Sequence, residues 1–359
     1  FWMWMAAFFG MATKYAEGLL AVKYRETDAR GEIAGGPMYY IRRGMGEKYR
    51  PLAAFFAAAT VLVAFFGIGT FPQVNAIVDS VELSFGVPRL YTDIALTLVI
   101  AAITIGGLKS IAAVAARVIP FMAALYVVIC LGIILAHLGE IPGAIALILD
   151  GAFTGTAAAG GFAGSTVMMA MKNGIARGVF SNESGLGSAP IAAAAAKTNE
   201  PAEQGLVSMT GTFIDTIIIC SMTGLVLVLT GAWNGDTAGA AMTGAAFTSF
   251  YGAVGGVLLT VSLALFAFTT ILGWNYYGER AVVYLAGRGG ILPYRVVFIV
   301  LIALGAFLKL EAIWILADIV NGLMAIPNLI ALLLLSGVIV RETKLYMEYV
   351  KRHSRIKHS

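Results

Sequence analysis

Residues 173–198 read NGIARGVFSNESGLGSAPIAAAAAKT, an apolar run of crossing length interrupted by Asn182, Glu183 and the closely spaced Gly185 and Gly187. Lipid offers no partner to a free backbone N–H or C=O, so non-helical backbone at membrane depth persists only buried in protein or lining a cavity. GIARGVF (174–180) and APIAAAAAK (189–197) are each too short to span alone and read as half-helices on either side of SNESGLGS. Upstream the same tendency continues, with Gly151, Gly155, Gly160, Gly161, Gly164, Gly174 and Gly178 crowding the approach. The stretch by itself admits two readings. A break would present helix N-termini to a carboxylate and freed carbonyls to a cation, as in a transporter site. A continuous glycine-rich helix would instead pack tightly on its neighbours, with Asn182 and Glu183 hydrogen-bonded across the interface.

Composition identifies the solvent. Of 359 residues, 59% are apolar and 12% charged, and the mean hydropathy is +0.86, so polar side chains are too few to coat a soluble globule of this size. The net charge of +4 does not point to nucleic acid, because the basic residues are confined to a few loops. Cys130 and Cys220 sit in separate apolar runs and read as packing, not as a disulfide or metal framework. The opening FWMWMAAFFGMATKYAEGLLAV (1–22) has no basic leader or small-residue cleavage site, so it is not a signal peptide. It starts inside a hydrophobic stretch, which we read as an N-terminally truncated chain.

Windows of roughly 20 apolar residues predict nine crossings, near 1–22, 52–78, 91–108, 118–138, 173–198, 206–230, 253–279, 296–310 and 313–339. The shorter stretches 141–149 and 159–171 read as surface or re-entrant pieces. Of the 24 Lys and Arg residues, 19 then fall on one side: in 23–50, at Lys109 and Arg117, at Lys197, at Arg280, Arg288 and Arg295, and in the 341–359 tail. Arg89, Lys172 and Lys309 lie opposite. The positive-inside rule makes the basic side, and the tail, cytoplasmic.

Other polar residues at depth extend the pattern. VAFFGIGTFPQVNAIV (63–78) places Gln73 and Asn75 in the second crossing beside Pro72 and two glycines. Gln73 offers a donor and an acceptor without a charge to desolvate. LALFAFTTILGWNYYGER (263–280) holds the adjacent hydroxyls of Thr269 and Thr270, with Trp274 one turn on and facing the same way as Thr270. Oxygen pairs near freed carbonyls suit a hard cation, although threonines in helices also satisfy themselves on the carbonyl one turn back, and a lone Trp is as readily packing or interfacial belt. Asp215, Asp318, Asn321 and Asn328 should each face the interior and find a partner, since a central Asp costs roughly 2.5–3.5 kcal/mol to insert. Lys14 and Glu17, three apart, read as a local ion pair. A membrane enzyme would need a nucleophile with a base, or metal ligands, at depth; His137, His353 and His358 all lie at ends or in the tail, which leaves a carboxylate-only mechanism at Asp215 and Glu183 as the enzyme alternative. A channel would show a ring-forming filter repeat, and none is evident.

Several long runs carry a resemblance: GMATKYAEGLLAVKYR (10–25), GGPMYYI (35–41), FTGTAAAGGFAGSTV (153–167), ARGVFSNESGLGSAPIAAAAAKT (176–198), FIDTIIICSMTGLVLVLTG (213–231), FAFTTILGWNYYGERA (266–281) and NGLMAIPNLIALLLLSG (321–337). Over essentially its whole length the chain resembles the sodium:alanine (alanine or glycine:cation) symporter family. That resemblance implies an all-α membrane protein with a leucine-transporter-type inverted-repeat bundle. Nine of the ten core helices would be present, and the first broken helix, expected to carry a Gly-Thr-Gly-Asn motif, would be missing. Residues 1–359 would form one transporter domain, with 1–150 the remainder of the first repeat, 151–340 the second inverted repeat and 341–359 a basic tail. The family pattern implies substrate contacts at Gln73, Phe180, Ser181, Thr270 and Trp274, and a sodium site at Thr269 and Thr270. Glu183 then becomes mainly structural, pairing with a neighbouring helix. The implied function is symport of small neutral amino acids, alanine or glycine, with sodium as co-transported ligand and no other cofactor. It would operate in a prokaryotic inner membrane, without nucleic acid or an obligate protein partner. The alternatives are a proton-coupled or differently specific transporter of the same fold, or an inactive fragment.

Overall fold

The computed structural model describes residues 1–27, 31–154, 163–237, 239–308 and 310–356. Arg30, Gly155, Gly160, Gly161, Lys309, Lys357 and His358 lie outside the described residues. Helix α1 (Trp2–Lys23) leads through a two-residue antiparallel ladder, β1 (Glu26–Thr27) with β2 (Ile33–Ala34), to the short α2 (Pro37–Met45). Then come α3 (Arg50–Phe66), α4 (Phe71–Phe85), α5 (Arg89–Ile105), α6 (Gly107–Ala136), α7 (Ile141–Phe153) and α8 (Ala163–Asn182). The second half holds the short α9 (Ala189–Ala193), α10 (Pro201–Thr212), α11 (Ser221–Leu229), α12 (Ala240–Tyr251), α13 (Ala253–Ala286), α14 (Ile291–Gly305), α15 (Leu310–Leu334) and α16 (Ser336–Ile356).

Six helical stretches among the described residues are long and apolar enough to cross a membrane: Glu47–Phe85, Ser110–Ala136, Pro201–Leu229, Ala253–Ala286, Arg288–Gly305 and Ala312–Leu334. Three of the nine expected crossings fall short of that measure, each for a visible reason. Lys14 and Glu17 interrupt the apolar run of α1, although its 22 residues would rise about 33 Å. Helix α5 has only 17 residues. The 173–198 segment leaves helical geometry after Asn182, while residues 163–171, expected as part of a surface or re-entrant piece, belong to the same helix as Asn182. The second expected crossing is also not one helix: α3 stops at Phe66 and α4 starts at Phe71, with Gly67–Thr70 bent between them. Between α10 and α11 the chain stays helical but widens to π geometry over Phe213–Cys220. The sequence 341–359, expected as a tail, is largely α16, which docks back through Tyr15 Oη to Thr343 Oγ1 (2.7 Å) and Lys23 to Glu342 (2.9 Å).

Apolar side chains point both ways. Inside, Leu19, Leu20, Met38, Phe56, Val63, Ile271, Trp274, Phe298, Ile302 and Met324 form one continuous core around α1, α3, α13, α14 and α15. A second core joins α6, α11, α12 and α13 through Tyr126, Cys130, Ile133, Val226 and Phe247. Outside, Phe8, Phe9, Leu98, Ile105, Phe121, Val128 and Leu333 remain exposed, a surface that suits lipid and would aggregate in water. In lipid, helices associate through small residues that let backbones approach. Gly18 shows this: a Cβ there would lie 2.3 Å from Ser208 Oγ and 3.0 Å from Gln204 O on α10.

Candidate functional site

The backbone between α8 and α9 turns on Glu183, Gly185 and Gly187. Glu183 is the one non-glycine residue among those described with positive φ, at 57°, and Gly185 and Gly187 follow at 87° and 85°. Left-handed backbone costs a glutamate roughly 1–3 kcal/mol unless its surroundings enforce it. The enforcement is visible. Asn182 Oδ1 accepts from Ser184 N (2.9 Å), and Leu186 N donates to Glu183 O (3.2 Å). Gly187 is wedged so tightly that a Cβ would stand 2.7 Å from Pro37 Cγ and 2.8 Å from a Phe56 ring carbon.

The freed backbone groups are satisfied from distant helices. Glu17 Oε1, on α1, accepts Gly185 N (3.1 Å), Gly187 N (3.2 Å) and Asn328 Nδ2 (2.7 Å). Asn328, on α15, also donates to Gly185 O (3.0 Å), and its Oδ1 accepts the Tyr40 hydroxyl. The local Lys14–Glu17 ion pair expected from spacing is not formed at bonding distance: Glu17 Oε1 is taken by the bend, and its Oε2 has no hydrogen-bond partner among the described residues. Asn182 Nδ2 donates to Thr216 Oγ1 (3.0 Å) in the π stretch.

The Glu183 side chain points the other way, into a cavity of about 740 Å³. Its Oε1 accepts Trp274 Nε1 from α13 (3.0 Å) and its Oε2 accepts Ser188 Oγ (2.5 Å). Thr269, Thr270, Gly273, Trp274 and Tyr277 line the wall on α13, Ile111 and Ala115 face them from α6, and Glu32 with Arg280 close one end. The Thr269 hydroxyl donates to Leu265 O (3.1 Å) and Phe266 O (3.0 Å), and Thr270 to Phe266 O (3.0 Å). Both oxygens keep lone pairs as acceptors. The bend between α3 and α4 backs onto the same wall: a Cβ on Gly69 would lie 2.6 Å from Trp274 Cβ.

Of the residues expected at the site, Thr269, Thr270 and Trp274 share this cavity. Gln73, Phe180 and Ser181 are not among its lining residues. Gln73 Nε2 donates to the freed Ile68 carbonyl in the α3–α4 bend (3.1 Å). Phe180 packs on Trp314 with ring centroids 4.9 Å apart, under an Arg177 guanidinium that makes two bonds to Asp318, of 2.5 and 2.7 Å. Ser181 Oγ donates to Asp215 Oδ2 (2.8 Å). Glu17 and Asn328 as joint anchors of the bend, and Arg177 as the partner of Asp318, escaped the sequence reading. An arginine inside an apolar run was the available signal for the last; nothing local marks the first two as partners, because 311 residues separate them.

The chain is similar to known proteins along its whole length. The profile of the Sodium:alanine symporter family matches residues 1–359. An uncharacterized transporter of Haemophilus influenzae is 60% identical over 353 residues, 98% of this chain and 77% of that protein. The sodium/alanine symporter AgcS of Methanococcus maripaludis is 48% identical over 364 residues, 99% of this chain and 78% of that protein. These relatives are transporters and not enzymes, as expected for a cavity deep in a lipid-facing bundle, and with the whole chain matched it belongs to the sodium:alanine symporter family.

Proposed function

We propose that this protein moves a small neutral amino acid, alanine or glycine, into the cell together with sodium. Membership of the family, and the AgcS relative, support amino-acid–cation symport in general. The observation that carries the specific reading is the junction of Glu183, Trp274, Thr269 and Thr270 around one cavity. Trp274, whose indole lines the cavity, forms a wall against the substrate. The two threonine hydroxyls, on residues that line the cavity, serve sodium. Gln73, Phe180 and Ser181 flank the same junction: Gln73 braces the bend whose Gly69 backs Trp274, and Phe180 and Ser181 form the last turn of α8 before Glu183.

The reading includes a leucine-transporter-type inverted repeat, with 1–150 in the first repeat, 151–340 in the second and a cytoplasmic 341–359. Supporting it is the departure from helical backbone at Glu183–Ser188, where the resemblance puts the second broken helix, with its amides bonded to Glu17 inside the protein. Ion and amino acid together would stabilise the state that changes access, so the sodium gradient drives uptake. The test is alanine uptake by the full-length protein in liposomes under an inward sodium gradient. Uptake should disappear when choline replaces sodium; unchanged uptake would end the sodium assignment.

A further inference from the structure

We propose that the Glu183 carboxylate is the group that binds the α-ammonium of the transported amino acid, a role beyond holding the bend open. The inference rests on the amino-acid reading of this cavity. Four observations carry it. Glu183 lines the cavity, and its side chain bonds to Trp274 and Ser188 and not to the Glu17–Asn328 anchor of the same segment. Its two protein partners, Trp274 Nε1 and Ser188 Oγ, are neutral donors, one to each oxygen, and they fix the carboxylate while leaving each oxygen a further acceptor site. Among the described residues no Lys or Arg nitrogen stands within ion-pair distance of it, the buried Lys14 acting on it only from farther off, whereas Glu26, Asp79, Glu279, Asp318 and Glu342 each have at least one. The wall around it is aromatic, with the Trp274 and Tyr277 rings 5.3 Å apart in edge contact.

A carboxylate held by neutral donors, with an acceptor site open on each oxygen, is the chemistry that receives an ammonium; a sodium ion on the same oxygens is the outcome that the sodium response of the test distinguishes. A cation also relieves the cost of a carboxylate held at this depth. The other acid of the cavity, Glu32, is already bonded to Arg280 and Arg288. It lies at the Arg280 end of the cavity.

The experiment compares alanine with lactate, which replaces the ammonium by a hydroxyl, as competitors of labelled-alanine binding to the full-length protein in sodium. The wild type should prefer alanine strongly. Glu183→Gln should weaken alanine about 10- to 100-fold and leave lactate within about threefold, collapsing the preference, while the fluorescence response to sodium without amino acid persists. Equal weakening of both competitors, or loss of the sodium response with the preference intact, overturns the proposal. Should Glu183→Gln fail to fold, Glu183→Asp decides: it should lower affinity and retain the alanine preference, and loss of preference with the charge retained overturns the assignment. Absence of sodium-dependent alanine uptake in the wild type overturns the functional reading itself, before any variant is compared.

Discussion

Asn328 Nδ2 donates to Glu17 Oε1 at 2.7 Å across 311 residues of chain, and both residues are buried completely. The bond closes a cluster in which one carboxylate oxygen serves two backbone amides and one side-chain amide. Removing either partner strands the rest. Asn328→Ala should cost about 2–4 kcal/mol and Glu17→Ala at least as much, read as a lowered thermal midpoint of the purified protein. Glu17→Gln, which keeps an acceptor for the Gly185 and Gly187 amides, should cost less than Glu17→Ala.

Gly187 combines a left-handed φ of 85° with contacts that leave no room for a methyl group. Gly187→Ala should therefore reduce the folded yield and cost more than about 2 kcal/mol. Gly139→Ala is the matched control, because a Cβ there meets nothing within 4 Å.

Thr269 and Thr270 bond back to their own helix, so their hydroxyls contribute little to stability. Thr269→Val and Thr270→Val should each leave the melting midpoint nearly unchanged, within about 1 kcal/mol. Each should raise the sodium concentration for half-maximal alanine uptake, roughly tenfold for an oxygen ligand lost. A melting shift without a sodium shift would assign the hydroxyls to packing.

The contact of Gly18 with Ser208 predicts non-additivity. Gly18→Ala should destabilise α1 against α10 by about 1–3 kcal/mol through overpacking. Ser208→Gly in the same chain should recover part of that loss, because it removes the Oγ that the new methyl would meet at 2.3 Å.

What the sequence exposed and what it hid divide along a physical line. Apolarity and loop charge act additively along the chain, so the membrane class was legible, together with the six strongest spans. The departure from helix near Glu183 was legible because glycine clusters are local. The segmentation of 52–78 was half legible: Pro72 and the two glycines pointed to a loosened helix, but the Gln73 side chain folding back onto Ile68 O depends on the bend itself. Lys14 and Glu17 misled through spacing, because a helix allows an i,i+3 pair and tertiary contact with the bend outcompeted it. The Trp274–Glu183 bond joins elements 91 residues apart, and no periodicity encodes such a meeting.

Glu17 and Asn328 weld the 183–188 segment to α1 and α15, with Tyr40 of α2 attached through Asn328. Those pieces are tied to one another by hydrogen bonds among fully buried side chains. Toward α13 the same segment extends the Trp274–Glu183 bond. Any displacement of α13 relative to this segment would therefore break that bond or carry the Glu183 carboxylate with it.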